Sequence, residues 1–165
     1  MKIFHEGDVY STIHCTGPTC LKLSIRLGDA PSDSPLVEIA DASPHRNPDS
    51  QTVVAACVAG ALRANAKYRS SFHPTWIRCS IDHYGPSSIL DYVTFKIVEF
   101  AAIPSFAPAL QRSISDSPLS FHKLSAESGV AKSVLSSIAK SGSVDGIEHD
   151  VVVTLIEHFH LHTGS

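Results

Sequence analysis

The stretch DSQTVVAACVAGALRANAKY, residues 49–68, decides how the first half of the chain is built. Asp49 or Ser50 can cap a helix here, because their side-chain oxygens accept the N–H groups that a first turn leaves unpaired. The residues that follow are rich in Ala and apolar nearly all round, and Arg63 and Lys67 come only in the last turns. This pattern predicts a helix from about Ser50 to Tyr68 lying deep against a sheet. Gly60 lets a neighbouring backbone come close.

Strand signals lie on both sides of it. Val9, Ser11, Ile13 and Cys15 share one face of a period-two run, and Leu21, Leu23, Ile25 and Leu27 alternate with Lys22, Ser24 and Arg26. Joined through TGPT, these runs predict a half-buried hairpin flanked by Cys15 and Cys20. A third strand is expected over 36–40. After the helix, strands are expected over 75–83 and 91–100, with YGPSS as the turn between them. In the last strand Val93, Phe95 and Ile97 alternate with Thr94 and Lys96. The order is βββαββ, an α+β class with an antiparallel sheet packed on one long helix, as a first domain over 1–102.

Composition sets outer limits. The 165 residues are 43% hydrophobic and 18% charged, which suits a folded protein rather than a disordered one. Lys+Arg number 13 against 16 Asp+Glu, a net charge of -3, so any contact with phosphate has to come from a local patch. MKIFHEGDVY has no apolar core after Lys2, and the longest apolar run, 53–62, is half a bilayer span. These features predict a cytoplasmic protein with no membrane partner. Four scattered cysteines are too few for a disulfide scaffold, and reduced thiols are expected.

From residue 103 the apolar period changes to that of a helix. Phe106, Leu110 and Ile114 stand four apart, and Val151, Val152, Leu155, Ile156 and Phe159 form a stripe near the end. Helices are expected over 105–115, 120–128, 132–141 and 148–159, as a second domain over 103–165.

The segment FHKLSAESGVAKSVLSSIAK, residues 121–140, carries a mechanism. Two short helices meeting at a steep angle need a turn residue that tolerates a left-handed backbone, and small or apolar residues where they touch. Gly129, Leu124, Ser125, Val130, Leu135 and Ile138 supply these. The segment resembles the helix-turn-helix of the Cro/C1-type (XRE-like) DNA-binding repressors. The resemblance implies that the second helix enters the major groove of double-stranded DNA. Lys132 and Ser133 would then face base edges, Ser136 and Ser137 bases or phosphates, and Lys140 with Lys123 phosphates. No Arg, Gln or Asn lies on that helix, so direct readout would be modest, and dimer spacing or DNA shape would matter more. Phe121 stands where many members carry Gln, and residues 103–165 hold four Lys/Arg against six Asp/Glu, which implies low nonspecific affinity.

The functional expectation is a sequence-specific transcriptional regulator, a repressor acting as a homodimer, whose first domain senses, dimerises or binds a protein partner. Dimerisation would use an edge strand of the sheet, or the last helix with Ile156 and Phe159. The alternative is a small protein-binding inhibitor or adaptor, of phage anti-defence or antitoxin type, whose helix-turn-helix serves autoregulation or protein interaction.

No enzyme, cofactor or metal is expected. His149, His158, His160 and His162 crowd one end of the chain, and His158 with His162 could clamp a metal only if the last helix continued that far. Cys15, Cys20, Cys79 and His83 could converge on zinc if two hairpins met, but Cys79 alternates with Ile77 and Ile81 and so is read as a buried thiol. Cys57 lies inside VVAACVAG, where burial makes a thiol inert. The HPT triplet at 73–75 has no second copy to make a two-histidine phosphodiesterase.

Overall fold

The computed structural model describes residues 1–16, 19–30, 35–40, 49–81 and 87–162. Two compact units divide it, Met1–Glu99 and Phe100–Ser165. Residues 17–18 of the expected TGPT turn, 82–83 at the end of an expected strand, His83 among them, and 84–86 of the expected YGPSS turn lie outside the described residues.

The first unit is a five-stranded sheet with helices packed on one face. Its strands are β1 (Ile3–Glu6), β2 (Val9–Thr16), β3 (Thr19–Gly28), β4 (Leu36–Ile39) and β5 (His73–Ile81), and its helices are α1 (Ser50–Tyr68) and α2 (Ser87–Ala102). The strand order is β1-β2-β3-β5-β4. The hairpin of β2 and β3 forms as expected, with Cys15 opposite Cys20. β1 is an addition that the sequence reading missed.

The sheet is mixed, not antiparallel, because β4 runs parallel to β5. The 19 residues of α1 explain this. A helix of that length carries the chain about 28 Å back along the sheet, so the next strand starts from the same end as the one before. Asp49 caps α1, its carboxylate accepting from the Thr52 N–H at 2.8 Å and the Thr52 hydroxyl at 2.7 Å. Arg69 ends it in a left-handed conformation, and Asn65 bonds both Ser70 and Phe72 to fix the turn into β5.

The segment 91–100 is helix, not strand, and lies within α2. Leu90, Val93 and Ile97 are buried at helical spacing beside Val53, Ala56 and Cys57 of α1 and Leu21, Leu23, Ile25, Ile77 and Cys79 of the sheet. Two helices therefore cover the sheet where one was expected. Each such Leu, Ile or Val side chain contributes about 1.5–3 kcal/mol by leaving water. The alternation of Val93, Phe95 and Ile97 misleads because Thr94 is itself fully buried, so the buried surface follows the helical period rather than polarity. Ser88–Ser115 is long and apolar enough by composition to cross a membrane, yet 56% of the window is buried within the protein.

Register corrects one further expectation. Val9 pairs with Arg26 and Ile13 with Lys22, so the set Val9, Ser11, Ile13 and Cys15 shares the face of Lys22 and Arg26, away from the helices. Ile13 is accordingly 54% exposed, while Thr12 is 2% exposed and gives its hydroxyl to the Lys2 carbonyl at 2.7 Å.

In the second unit a 3-10 turn, Ile103–Phe106, leads into α3 (Ala107–Ser115), α4 (Phe121–Ser128), α5 (Lys132–Ser141) and α6 (His149–His158). Leu110, Ile114, Leu124, Leu135, Ile138, Val152, Leu155 and Ile156 are buried. Ile156 is therefore committed to the interior and is not available as a dimer surface.

Candidate nucleic-acid interface

The geometry of α4 and α5 follows from their ends. The Ser120 hydroxyl caps α4 by accepting from the Lys123 N–H, and Gly129 stops the helix at φ 72°, its N–H bonded to the Ser125 carbonyl. Positive φ costs an L side chain roughly 1–2 kcal/mol, which glycine avoids. Val130 and Ala131 complete a three-residue turn, and α5 then runs to Gly142, again left-handed at φ 65°. Leu124, Val130, Leu135 and Ile138 are buried. The buried small residue of α4 is Ser128, whose hydroxyl bonds the Leu124 carbonyl at 2.7 Å, rather than Ser125, which is half-buried. Gln111 of α3 braces α5 through the Ala139 carbonyl at 3.2 Å.

The outward stripe of α5 is polar and carries no carboxylate. Lys132, Ser133, Ser137 and Lys140 are exposed, and Ser136 is half-buried. Their spacing puts them on one side of the helix. Lys123 is exposed on α4. The first turn of α5 has no side-chain cap, since Ala131 holds the capping position. Such a stripe can meet an anionic groove with two ammonium groups at its ends and hydroxyls between, a set suited to phosphate and to shape more than to bidentate base contacts.

The other candidates separate. Cys15 and Cys20 are bonded to each other, not reduced, since directly opposed positions bring their Cα atoms to 4.1 Å. Cys79 pairs with Leu23 on the helix-covered face, so these cysteines lie on opposite sides of the sheet and cannot share a zinc ion. α6 ends at His158, and His160 has φ 53°, which breaks the helical spacing between His158 and His162. No group of three His, Cys, Asp or Glu side chains able to hold a metal occurs among the described residues.

Cys57 is fully buried, and burial pushes its thiol up to about 12; burial also raises the Cys79 thiol. A raised folded value means that the stability Cys57 contributes is complete below the ordinary thiol value of about 8.5 and falls away as pH rises from there toward 12. At pH 8 a thiol reagent is expected to label neither Cys57 nor Cys79 in the native chain and to label Cys15 and Cys20 after mild reduction. Two equivalents in the native, unreduced chain would contradict this burial.

The sequence reading missed the sheet face that the helices leave open. It carries Lys22, Ser24 and Arg26 on β3 and Trp76, Arg78 and Ser80 on β5. Alternation within each strand was legible, but the register that brings them together was not. Comparison of the chain with protein-family models, with curated proteins and with solved structures finds no match.

Proposed function

We propose that the chain is a sequence-specific DNA-binding transcriptional regulator, a repressor that acts as a homodimer, with a Cro/C1-like helix-turn-helix in α4 and α5. The observation that carries the reading is the acid-free stripe of Lys132, Ser133, Ser136, Ser137 and Lys140 on a helix that follows a three-residue glycine turn. In that reading Lys132 and Ser133 approach base edges, and Lys140 and Lys123 hold phosphates. The short edge strands β1 and β4 are the surfaces on which two copies would pair.

A salt titration of binding to DNA from upstream of the chain's own gene tests it. Neutralising one phosphate steepens the log-log salt slope by about 0.9. The double variant Lys132→Ala/Lys140→Ala, which removes one phosphate contact and one base-edge contact, is expected to flatten the slope by about 1 per protomer and to weaken specific binding by roughly 10–100-fold. Binding no tighter than to unrelated DNA, even at low salt, would sink this reading and favour a protein-binding inhibitor or adaptor.

A further inference from the structure

The open face of the sheet holds a cavity of about 230 Å³ lined by Lys22, Ser24, Ala40, Arg78, Cys79 and Ser80. Its polar walls belong to the adjacent strands β3 and β5, where Lys22 pairs with Ser80 and Ser24 with Arg78. Directly paired side chains start about 5 Å apart and diagonal ones about 7–8 Å, so two cations sit on one diagonal and two hydroxyls on the other. No carboxylate of the described residues lines the space. Lys22 has no ion-pair partner among the described residues, and Arg78 has only Glu38, 4.0 Å from its Nε. Glu38 is also engaged by the Trp76 indole N–H at 2.9 Å, which holds it beside the cavity rather than in it. The Ser24 hydroxyl shares a 2.8 Å hydrogen bond with Ser11, which fixes its position at the rim.

Two like charges on neighbouring strands repel, and an anion held between them offsets that cost. A tetrahedral oxyanion fits the space, takes charge-assisted hydrogen bonds from Lys22 and from the terminal nitrogens of Arg78, and accepts from a serine hydroxyl. We propose that this cavity binds a phosphate group, either inorganic phosphate or the phosphate of a small monoester. The inference deepens the regulatory reading by supplying an effector class to the first unit. It rests on the sheet alone, and its test uses no DNA, so the two readings fail separately.

Calorimetric titration of the full chain at moderate ionic strength, with inorganic phosphate and in parallel with glycerol 3-phosphate, provides the test. Saturable binding is expected. Lys22→Ala is expected to weaken it about tenfold or more, and Lys22→Ala/Arg78→Ala to abolish it. Both side chains are exposed, so the variants keep the fold, and an unchanged Trp76 emission in urea titrations checks this. Lys67→Ala, on α1, leaves binding as it was. Equal affinity for the two ligands identifies the free ion, and tighter monoester binding identifies a phosphate handle on a larger molecule. No saturable binding of either up to roughly 10 mM, an equal loss in Lys67→Ala, or binding of a single-stranded oligonucleotide without phosphate binding would overturn the proposal.

Discussion

Gly60→Ala is expected to destabilise the first unit by about 3 kcal/mol, although alanine is favoured over glycine inside a helix by about 1 kcal/mol. A Cβ at this position would stand 2.2 Å from the carbonyl oxygen of Asp91 and 3.0 Å from its carbonyl carbon. Both belong to the backbone of α2, so no side chain can swing aside, and the two helices have to separate. Separation also strains the bond of the Arg63 guanidinium to the Asp91 carboxylate, 2.9 Å from Nη2. The chain's one tryptophan, Trp76, lies on β5, so its emission reports on this unit. The urea midpoint should fall by about 1–2 M for an ordinary denaturant slope. Ala66→Gly, at an exposed position of the same helix, supplies the propensity scale at about 1 kcal/mol. A midpoint that Gly60→Ala leaves unchanged or raises would mean that α1 and α2 do not approach this closely.

The elements that were legible in the sequence are those whose ends carry their own chemistry. α1 begins at an Asp cap, α4 at a Ser cap, and α4 and α5 stop at glycines with positive φ, so local rules place their bounds. α2 was misread because a buried Thr94 and a buried Glu99 interrupt the apolar stripe of Leu90, Val93 and Ile97, leaving a short run that alternates. Its length without Gly or Pro was the better signal, since 16 residues suit a helix more than a strand. β1 escaped notice because it is four residues long and only Ile3 packs toward the core. The parallel pairing of β4 and β5 follows from the order strand, long helix, strand, because the helix returns the chain to the end at which β4 began. The candidate DNA-facing residues were named from sequence because they sit on one helix with a local period. The phosphate cavity could not be, because it depends on a register between β3 and β5 that closes across more than fifty residues.

Removing the carboxylate of Glu99 should cost about 3–5 kcal/mol, the range for breaking a buried charged pair by deleting one member. Glu99 is 1% exposed on α2, with the Tyr68 hydroxyl donating to one oxygen and Lys96 Nζ 2.6 Å from the other. Glu99→Ala takes the carboxylate away from both donors and opens a void, whereas Glu99→Gln keeps an acceptor for Tyr68 and loses only the charge beside Lys96. The Gln variant should therefore lose less, about 1–3 kcal/mol. Tyr68→Phe, which removes one donor and no volume, is expected to cost about 1–2 kcal/mol. Pairing Tyr68→Phe with Glu99→Leu separates the two contributions. If the lost hydrogen bond dominates, the double variant recovers part of what Glu99→Leu alone loses, because the hydroxyl that bonded Glu99 has gone too. If the void dominates, Glu99→Leu is already mild and Tyr68→Phe adds its own cost. A Glu99→Ala chain whose Trp76 transition moves by less than about 1 kcal/mol would mean that the carboxylate reaches water. The join of α1 and α2 would then rest on Gly60, the Arg63–Asp91 pair and apolar burial.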